Sequence, residues 1–294
     1  AAETGQLVPR RELAFFGVAN ENDQATQLSH RLLVKPLAQS VEGLFTAEGW
    51  SVQRWVDGTA TRAALLARLL GPEGTQGAGS ASVAPALLFT ASHGVGFDAG
   101  DPRQERQQGA LLCQDWRGPG SGSPIPRDCY LAAEDILPNA QLHGLIAFLF
   151  ACYSAGTPMV DSFTMGAQRA SRAPAAFVAA LPQRMLVHPA GGALAVIGHI
   201  DRAWGYSFTG SSPVQRVHTA AIESTLRRLL HGERVGHATE YLNLRYAELA
   251  CALSEETRSS LDLMVAIFWR STAGAVAGWA GVGDTPSDKR SIKP

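Results

Sequence analysis

Short apolar runs recur along the chain, and several of them end directly in polar residues. Such runs cover residues 13–19, 84–94, 143–156 and 193–205. Strands that are apolar on both faces are typical of the centre of a parallel sheet, so each run predicts a buried strand. A further segment, residues 50–56, alternates between apolar and polar side chains, which also indicates a strand.

Helical spacing separates these strands. Residues 28–44 carry apolar side chains three or four positions apart, with Pro36 where we expect a kink. Residues 60–70 are strongly helical, and either Thr59 or Thr61 is the expected N-cap. Strands that alternate with helices predict an α/β fold with a mainly parallel central sheet.

The remaining segments are less regular. Residues 174–182 fit either a helix or a strand, and residues 109–116 contain one short strand candidate. Residues 71–82 are rich in glycine and serine and indicate a surface loop. From residue 214 to about 268 the pattern is helical, so we expect a single domain over residues 13–286 with a mainly helical C-terminal part.

Composition excludes several classes of protein. Hydrophobic residues make up 46% of the chain and charged residues 17%, which disfavours disorder. The formal net charge of −1 offers no basic excess for binding nucleic acid. No run of 18 apolar residues indicates a membrane span, and the first residues show no secretory signal. The first residue is not Met, so a segment upstream is expected to be missing.

Four cysteines in a chain of this length do not indicate a disulfide framework. A reducing compartment suits them better, and we expect the protein to be cytoplasmic. Cys113 and Cys129 lack the spacing of a zinc site, and no phosphate-binding glycine motif is present. We therefore expect neither a metal nor a cofactor.

The most informative pattern is a His and a Cys that each end an apolar run. His93 follows the strand in LLFTASHG, and Cys152 follows the strand in LIAFLFACYSAG. The carboxyl ends of parallel strands meet at one edge of a sheet, where a Cys–His pair forms a sulfur nucleophile and its base. The amides of Gly94 and Cys152 are candidates for an oxyanion hole. Taken singly, a core cysteine and a loop histidine are the commoner interpretations.

Strand–His-Gly followed by strand–Ala-Cys resembles the caspase-like cysteine peptidases of clan CD, especially the gingipain-type and CHAT domains. Two weaker stretches are also similar: residues 189–205, which end in a tryptophan, and GVGDTP at residues 281–286. The resemblance implies a caspase-like three-layer sandwich. It also implies that His93 is the general base or acid and that Cys152 is the nucleophile.

The resemblance also implies that the loop after the first strand lines the S1 pocket. Glu21 and Asp23 are its acidic residues, and Asp23 is the better candidate for binding Arg or Lys at P1. The alternative is that Asp23 only caps the helix that follows. Asp201 and Trp204 are further candidates for the pocket. Phe150, two residues before the cysteine, departs from the acid found in some relatives and makes Leu or Met at P1 the alternative.

Three functions remain in competition. The first is a cysteine endopeptidase that acts on protein or peptide substrates, with a regulatory protein as a further partner. The second is a catalytically silent caspase-like scaffold that binds partners. The third is a Cys–His amidotransferase or acyltransferase, but ACYSAG lacks the glycines that flank such nucleophiles. Neither nucleic acid nor a membrane is expected as a partner.

Overall fold

The computed structural model describes residues 8–70, 81–120, 124–161, 171–205, 208, 219–245 and 247. Nine strands follow each other along these residues. They are β1 (Val8–Gly17), β2 (Ser51–Trp55), β3 (Ala81–Ala91), β4 (Leu111–Leu112), β5 (Tyr130–Leu131), β6 (Ile146–Phe150), β7 (Gly156–Thr157), β8 (Phe177–Val178) and β9 (Ala195–Gly198).

The helices of the described residues lie mostly between the strands of the sheet. They are α1 (Gln24–Ser29), α2 (Lys35–Phe45), α3 (Arg62–Leu70), α4 (Gln104–Gln107), α5 (Ala180–Leu186), α6 (Ala220–Leu230) and α7 (Val235–Ala238). A π-helical turn joins α1 to α2, and short 3-10 turns occupy Thr46–Glu48, Arg127–Cys129 and Ala133–Asp135.

A five-stranded sheet in the spatial order β2–β1–β3–β6–β9 forms the centre, and all of its pairings are parallel. The strands β4 and β5 form a small antiparallel ladder, and β7 and β8 form another. The sheet order reverses direction beside β1, because β2 pairs on one side of it and β3 on the other. Open parallel sheets place their chemistry at the carboxyl ends of strands near such a reversal.

Helices cover both faces of this sheet. One face packs Phe15, Phe89 and Phe148 against side chains of α2 and α6. The other face packs Phe16 and Leu149 against side chains of α3 and α5. The protein is therefore an α/β three-layer sandwich, which confirms the fold class predicted from the sequence.

Burial on both faces explains the continuous apolar runs. In β1, Leu13 and Phe15 enter one core while Ala14 and Phe16 enter the other. Because successive strand residues point to opposite faces, a strand covered on both sides needs apolar residues at every position. The edge strand β2 is covered less and keeps exposed polar positions.

The regular elements differ from the predicted ranges mainly at their ends. The apolar run at residues 143–156 contains the five residues of β6 and the first residue of β7, and residues 109–116 contain only the two residues of β4. Residues 174–182 hold both β8 and the start of α5. Apolar composition reports burial, and buried turns next to a strand share it, so composition alone overestimates strand length.

Pro36 lies where the first helical segment changes from a π-helical turn to an α-helix. Helix α2 begins immediately before it at Lys35, and the turn His30–Val34 is π-helical. The amide of Lys35 donates to the carbonyl of His30, five residues earlier. Proline has no amide hydrogen and crowds the preceding turn, so a local widening of the helix accommodates it.

The N-cap of α3 is Thr61, whose hydroxyl oxygen accepts a hydrogen bond from the Ala64 amide at 3.2 Å. In the C-terminal part, α6 packs Ile222, Leu226 and Leu229 into the core beside the sheet. The predicted loop at residues 71–80, the helical pattern after residue 247 and the GVGDTP stretch lie outside the described residues. Across the described part of the chain, no helix combines the length and apolarity needed to cross a membrane.

Replacing Phe89 with Ala should lower the free energy of unfolding by about 3 to 5 kcal/mol. Phe89 is fully buried in the central strand, and its ring lies 5.8 Å from that of Phe15 and 5.3 Å from that of Phe148. Truncation to Ala leaves a cavity between the rings of Phe15 and Phe148, and these rings cannot move together to fill it. Urea unfolding followed by circular dichroism measures the change. Val187→Ala, at a position 70% exposed, is the control, and equal losses in the two variants would contradict this account of the core.

Candidate active site

Three loops from neighbouring strands meet at the carboxyl edge of the sheet. The loop after β1 carries Asp23, the loop after β3 carries His93, and the turn after β6 carries Cys152. His93 and Cys152 line the same small cleft. Their position at two adjacent strand ends, predicted from the sequence, therefore places them in one cavity.

His93 is held by a carboxylate. Its Nε2 atom lies 2.7 Å from Oδ2 of Asp23, and its ring meets the ring of Trp116 edge to face at 6.1 Å. An ionised carboxylate only accepts hydrogen bonds, so Nε2 carries the proton. With the proton on Nε2, the Nδ1 atom is the ring nitrogen that is left to accept a proton.

Asp23 also begins helix α1. Its Oδ2 accepts hydrogen bonds from the Thr26 amide at 3.3 Å and the Thr26 hydroxyl at 2.6 Å. Burial opposes ionisation of Asp23, but the hydrogen bonds from His93 and Thr26 outweigh it and lower its pKa to about 2. The carboxylate is thus ionised throughout the neutral range, and its partner in the structure is His93.

The role that sequence reasoning gave Asp23 needs correction. We expected its carboxylate to bind a basic P1 side chain, yet it bonds to His93 and Thr26. The capping alternative is confirmed by the bond from the Thr26 amide. The sequence places Asp23 in the correct loop, but only the pairing of β1 with β3 brings that loop beside His93.

Cys152 lies in a tight turn at the end of β6. Its Sγ accepts a hydrogen bond from the Ala203 amide at 3.3 Å and lies 3.8 Å from the Ala203 carbonyl oxygen. Tyr153, the next residue, adopts a left-handed backbone with φ of 58°. Burial raises the pKa of the Cys152 thiol, and the amides of Ala203 and Gly94 oppose that rise. The thiol in this conformation is neutral.

Gly94 is required by close backbone contact. A β-carbon at this position would lie 1.7 Å from the Cys152 carbonyl oxygen, so no other residue fits. The Gly94 amide is close enough to the Cys152 sulfur to oppose the rise in the pKa of that thiol. The predicted oxyanion-hole amide thus lies beside the proposed nucleophile.

The other sequence-predicted pocket residues lie around the cleft and do not line it. Glu21 is exposed. Asp201 is buried, its carboxylate accepts the Arg202 amide at 2.8 Å, and its carbonyl oxygen accepts the Tyr153 amide. Trp204 stacks against the Arg202 guanidinium at 5.8 Å. Asp201 and Trp204 therefore shape the loop that holds Ala203.

Sequence reasoning did not identify the ion cluster behind that loop. The buried carboxylate of Asp161 accepts hydrogen bonds from both Arg202 and Arg172. These bonds join residues up to 41 positions apart, and they tie the Ala203 loop to the segment after β7. An acid followed by distant arginines gives no local sequence signal, so only the tertiary structure reveals this contact.

Cys113, Cys129 and His199 have structural surroundings. Burial raises the pKa of the Cys113 thiol to about 12 and also raises that of Cys129. Burial lowers the pKa of His199 to about 3, and its ring packs against Phe150. Among the described residues, no group of three or more His, Cys, Asp or Glu side chains is arranged to hold a metal ion.

A scan against protein-family models found no match, and neither a search of curated proteins nor a search of solved structures found one. Function is therefore inferred from the geometry of the cleft and from the chemistry of the residues that line it.

Cys152 should react with iodoacetamide before Cys113 and Cys129. Cys152 is partly exposed at a cleft, whereas Cys113 is fully buried and Cys129 is 8% exposed. Brief labelling followed by peptide mass mapping gives the order. Labelling in denaturing urea is the control and should remove the difference. A folded protein in which Cys129 or Cys113 reacts as fast as Cys152 would refute the assignment.

Replacing Asp23 with Asn should destabilise the protein most above about pH 4 and least near pH 2. The folded state lowers the pKa of Asp23 from 3.8 to about 2. The ionised carboxylate therefore contributes its full stabilisation above the unfolded pKa and loses it as the pH falls through the folded pKa. Urea unfolding of both proteins across this range measures the difference. Glu21→Gln, at an exposed position, should show no such trend, and a difference that is constant with pH would exclude this origin.

Proposed function

We propose that the protein is a cysteine endopeptidase in which Cys152 is the nucleophile, His93 the base and Asp23 the residue that orients His93. The observation that carries the proposal is the shared cleft of Cys152 and His93 together with the 2.7 Å contact from Nε2 of His93 to Asp23. A carboxylate behind an imidazole, beside a thiol, is the arrangement that activates a nucleophile for acyl transfer.

Acylation begins with proton transfer from the Cys152 thiol to Nδ1 of His93. The thiolate adds to the substrate carbonyl carbon, and the electron pair of the carbonyl moves to its oxygen. Asp23 stabilises the imidazolium that forms, because its carboxylate stays ionised. The imidazolium then protonates the leaving amine, the C–N bond breaks, and a thioester remains on Cys152.

Hydrolysis of the thioester uses the same residues. His93 removes a proton from water, the hydroxide adds to the thioester carbonyl, and the thiol leaves with the proton that His93 returns. Both tetrahedral intermediates carry an oxyanion next to the sulfur. The amides of Gly94 and Cys152 are our candidates to donate to it, since the Gly94 backbone packs directly against that of Cys152.

The Cys152 thiol is neutral and half-buried, so the resting state does not yet hold the reactive thiolate. A substrate carbonyl needs the space that Ala203 borders, so binding has to loosen the contact between the Ala203 amide and Sγ. The same observation favours the second candidate function, a silent scaffold, because a sulfur enclosed by backbone groups is a poor nucleophile. The two functions differ in whether Cys152 turns over a peptide.

The partners that fit the endopeptidase are a protein or peptide substrate and, as a regulator, a protein that displaces the Ala203 loop. We place the enzyme in the cytoplasm. A catalytic thiol must stay reduced, and the three described cysteines are free thiols.

Cys152→Ala should abolish hydrolysis of fluorogenic peptides, and His93→Ala should lower kcat/KM by about 10²- to 10⁴-fold. The first change removes the nucleophile, and the second removes the proton acceptor. Cys129→Ala is the matched control, since that cysteine packs in a separate small core, and it should keep its activity.

The assay uses peptides with Arg, Lys, Asp, Leu and Ala at P1. Activity that survives in Cys152→Ala would overturn the peptidase assignment. A folded wild-type protein that cleaves none of them and leaves Cys152 unlabelled by peptidyl electrophiles would point to the scaffold.

A further inference from the structure

We propose that the cleft beside Cys152 selects a small, uncharged side chain at P1. This inference rests on the proposed function and replaces the basic P1 residue expected from the sequence. The shape and charge of the cleft wall determine which substrates fit. That wall is formed by α1, the end of β6 and the loop after β9.

The cleft is the space that the P1 side chain enters. In an acyl-enzyme only the carbonyl carbon separates Sγ from the P1 α-carbon, so that side chain lies within a few atoms of Cys152. Apart from His93, Cys152, Thr26 and Ser92, the cavity is lined by aromatic and small residues. They are Ala25, Ser29, Phe150, Ala203, Gly205 and Phe208.

Aromatic packing limits the size of this cavity. The rings of Phe150 and Phe208 meet edge to face at 5.7 Å and are almost completely buried. The space they leave has a volume of about 50 Å³. A side chain of about three heavy atoms fills that volume, whereas an arginine or a large aromatic side chain does not fit without movement of the wall.

The hydroxyl groups at the cleft already donate to protein acceptors. The Thr26 hydroxyl donates to Asp23 at 2.6 Å, and the Ser29 hydroxyl donates to the Thr26 carbonyl oxygen at 3.0 Å. The Ser92 hydroxyl donates to the His93 carbonyl oxygen at 3.1 Å. A polar P1 side chain that needs a donor gains nothing from them, which favours an apolar group.

Charged P1 side chains meet no opposite charge on the described cleft wall. Asp23 is bonded to His93, and using it for substrate would deprive His93 of its partner. The carboxylate of Asp201 is buried and accepts the Arg202 amide, and it does not line the cleft. The nearest guanidinium, that of Arg202, is bonded to Asp161. An Arg, Lys or Asp side chain in this cleft would lose its hydration without forming a salt bridge, which is strongly unfavourable.

The test compares acyloxymethyl ketone peptides that differ only in P1, with Ala, Val, Leu, Arg or Asp. The readout is the rate at which each labels Cys152 in the full chain, followed by intact mass, with Cys152→Ala as the blank. We expect Ala and Val to label at least ten times faster than Arg, Asp or Leu. Faster labelling by Arg, Asp or Leu would overturn the P1 inference while leaving the peptidase proposal intact. If no peptide labels faster than an electrophile without a peptide, the peptidase proposal fails and this inference with it.

A variant of the wall gives an independent check. Ser29→Asn adds two heavy atoms to the cleft wall and should lower the Val-to-Ala labelling ratio at least tenfold, because less space remains for the larger side chain. Ser29→Ala is the matched control, because it does not narrow the cleft, and its ratio should stay near that of the wild type. Circular dichroism establishes that both variants fold. An unchanged ratio in folded Ser29→Asn would show that P1 binds elsewhere and would overturn the inference.

Discussion

The parallel pairing of β1, β3 and β6 decides where the chemistry of this protein can occur. Parallel strands begin at one edge of a sheet and end at the other, so the three loops that follow them meet at a single edge. Asp23, His93 and Cys152 each come from one of those loops. The two apolar cores on either side of the sheet fix this alignment, because a shift of one residue would turn each strand's core side chains to the opposite face.

Asp23 links the fold to the proposed chemistry. One carboxylate oxygen caps the helix that follows β1 and also meets the imidazole that follows β3. The helix therefore holds the carboxylate in place, and the carboxylate sets which nitrogen of His93 carries the proton. Gly94 completes this arrangement, since its missing side chain lets the His93 loop lie directly on the Cys152 backbone.

The loop after β9 controls access to the sulfur. Ala203 contacts Sγ of Cys152 through both its amide and its carbonyl group. Asp161 binds both Arg172 and Arg202, and Arg202 is adjacent to Ala203. This ion cluster therefore anchors the loop. The loop after β9 encloses the Cys152 thiol and also forms one wall of the narrow, uncharged cleft.

The sequence by itself determined the fold class, the buried strands and the two strand-end residues His93 and Cys152. Burial on both faces requires apolar residues at successive positions, so buried strands are visible as unbroken apolar runs. A parallel sheet then brings the polar residues that follow these runs to the same edge. It could not determine strand lengths, since buried turns are as apolar as strands. Nor could it assign Asp23, which depends on the pairing of β1 with β3, or the Asp161 cluster and the aromatic wall of Phe150 and Phe208. Those contacts join residues far apart in the chain, and only the tertiary structure decided them.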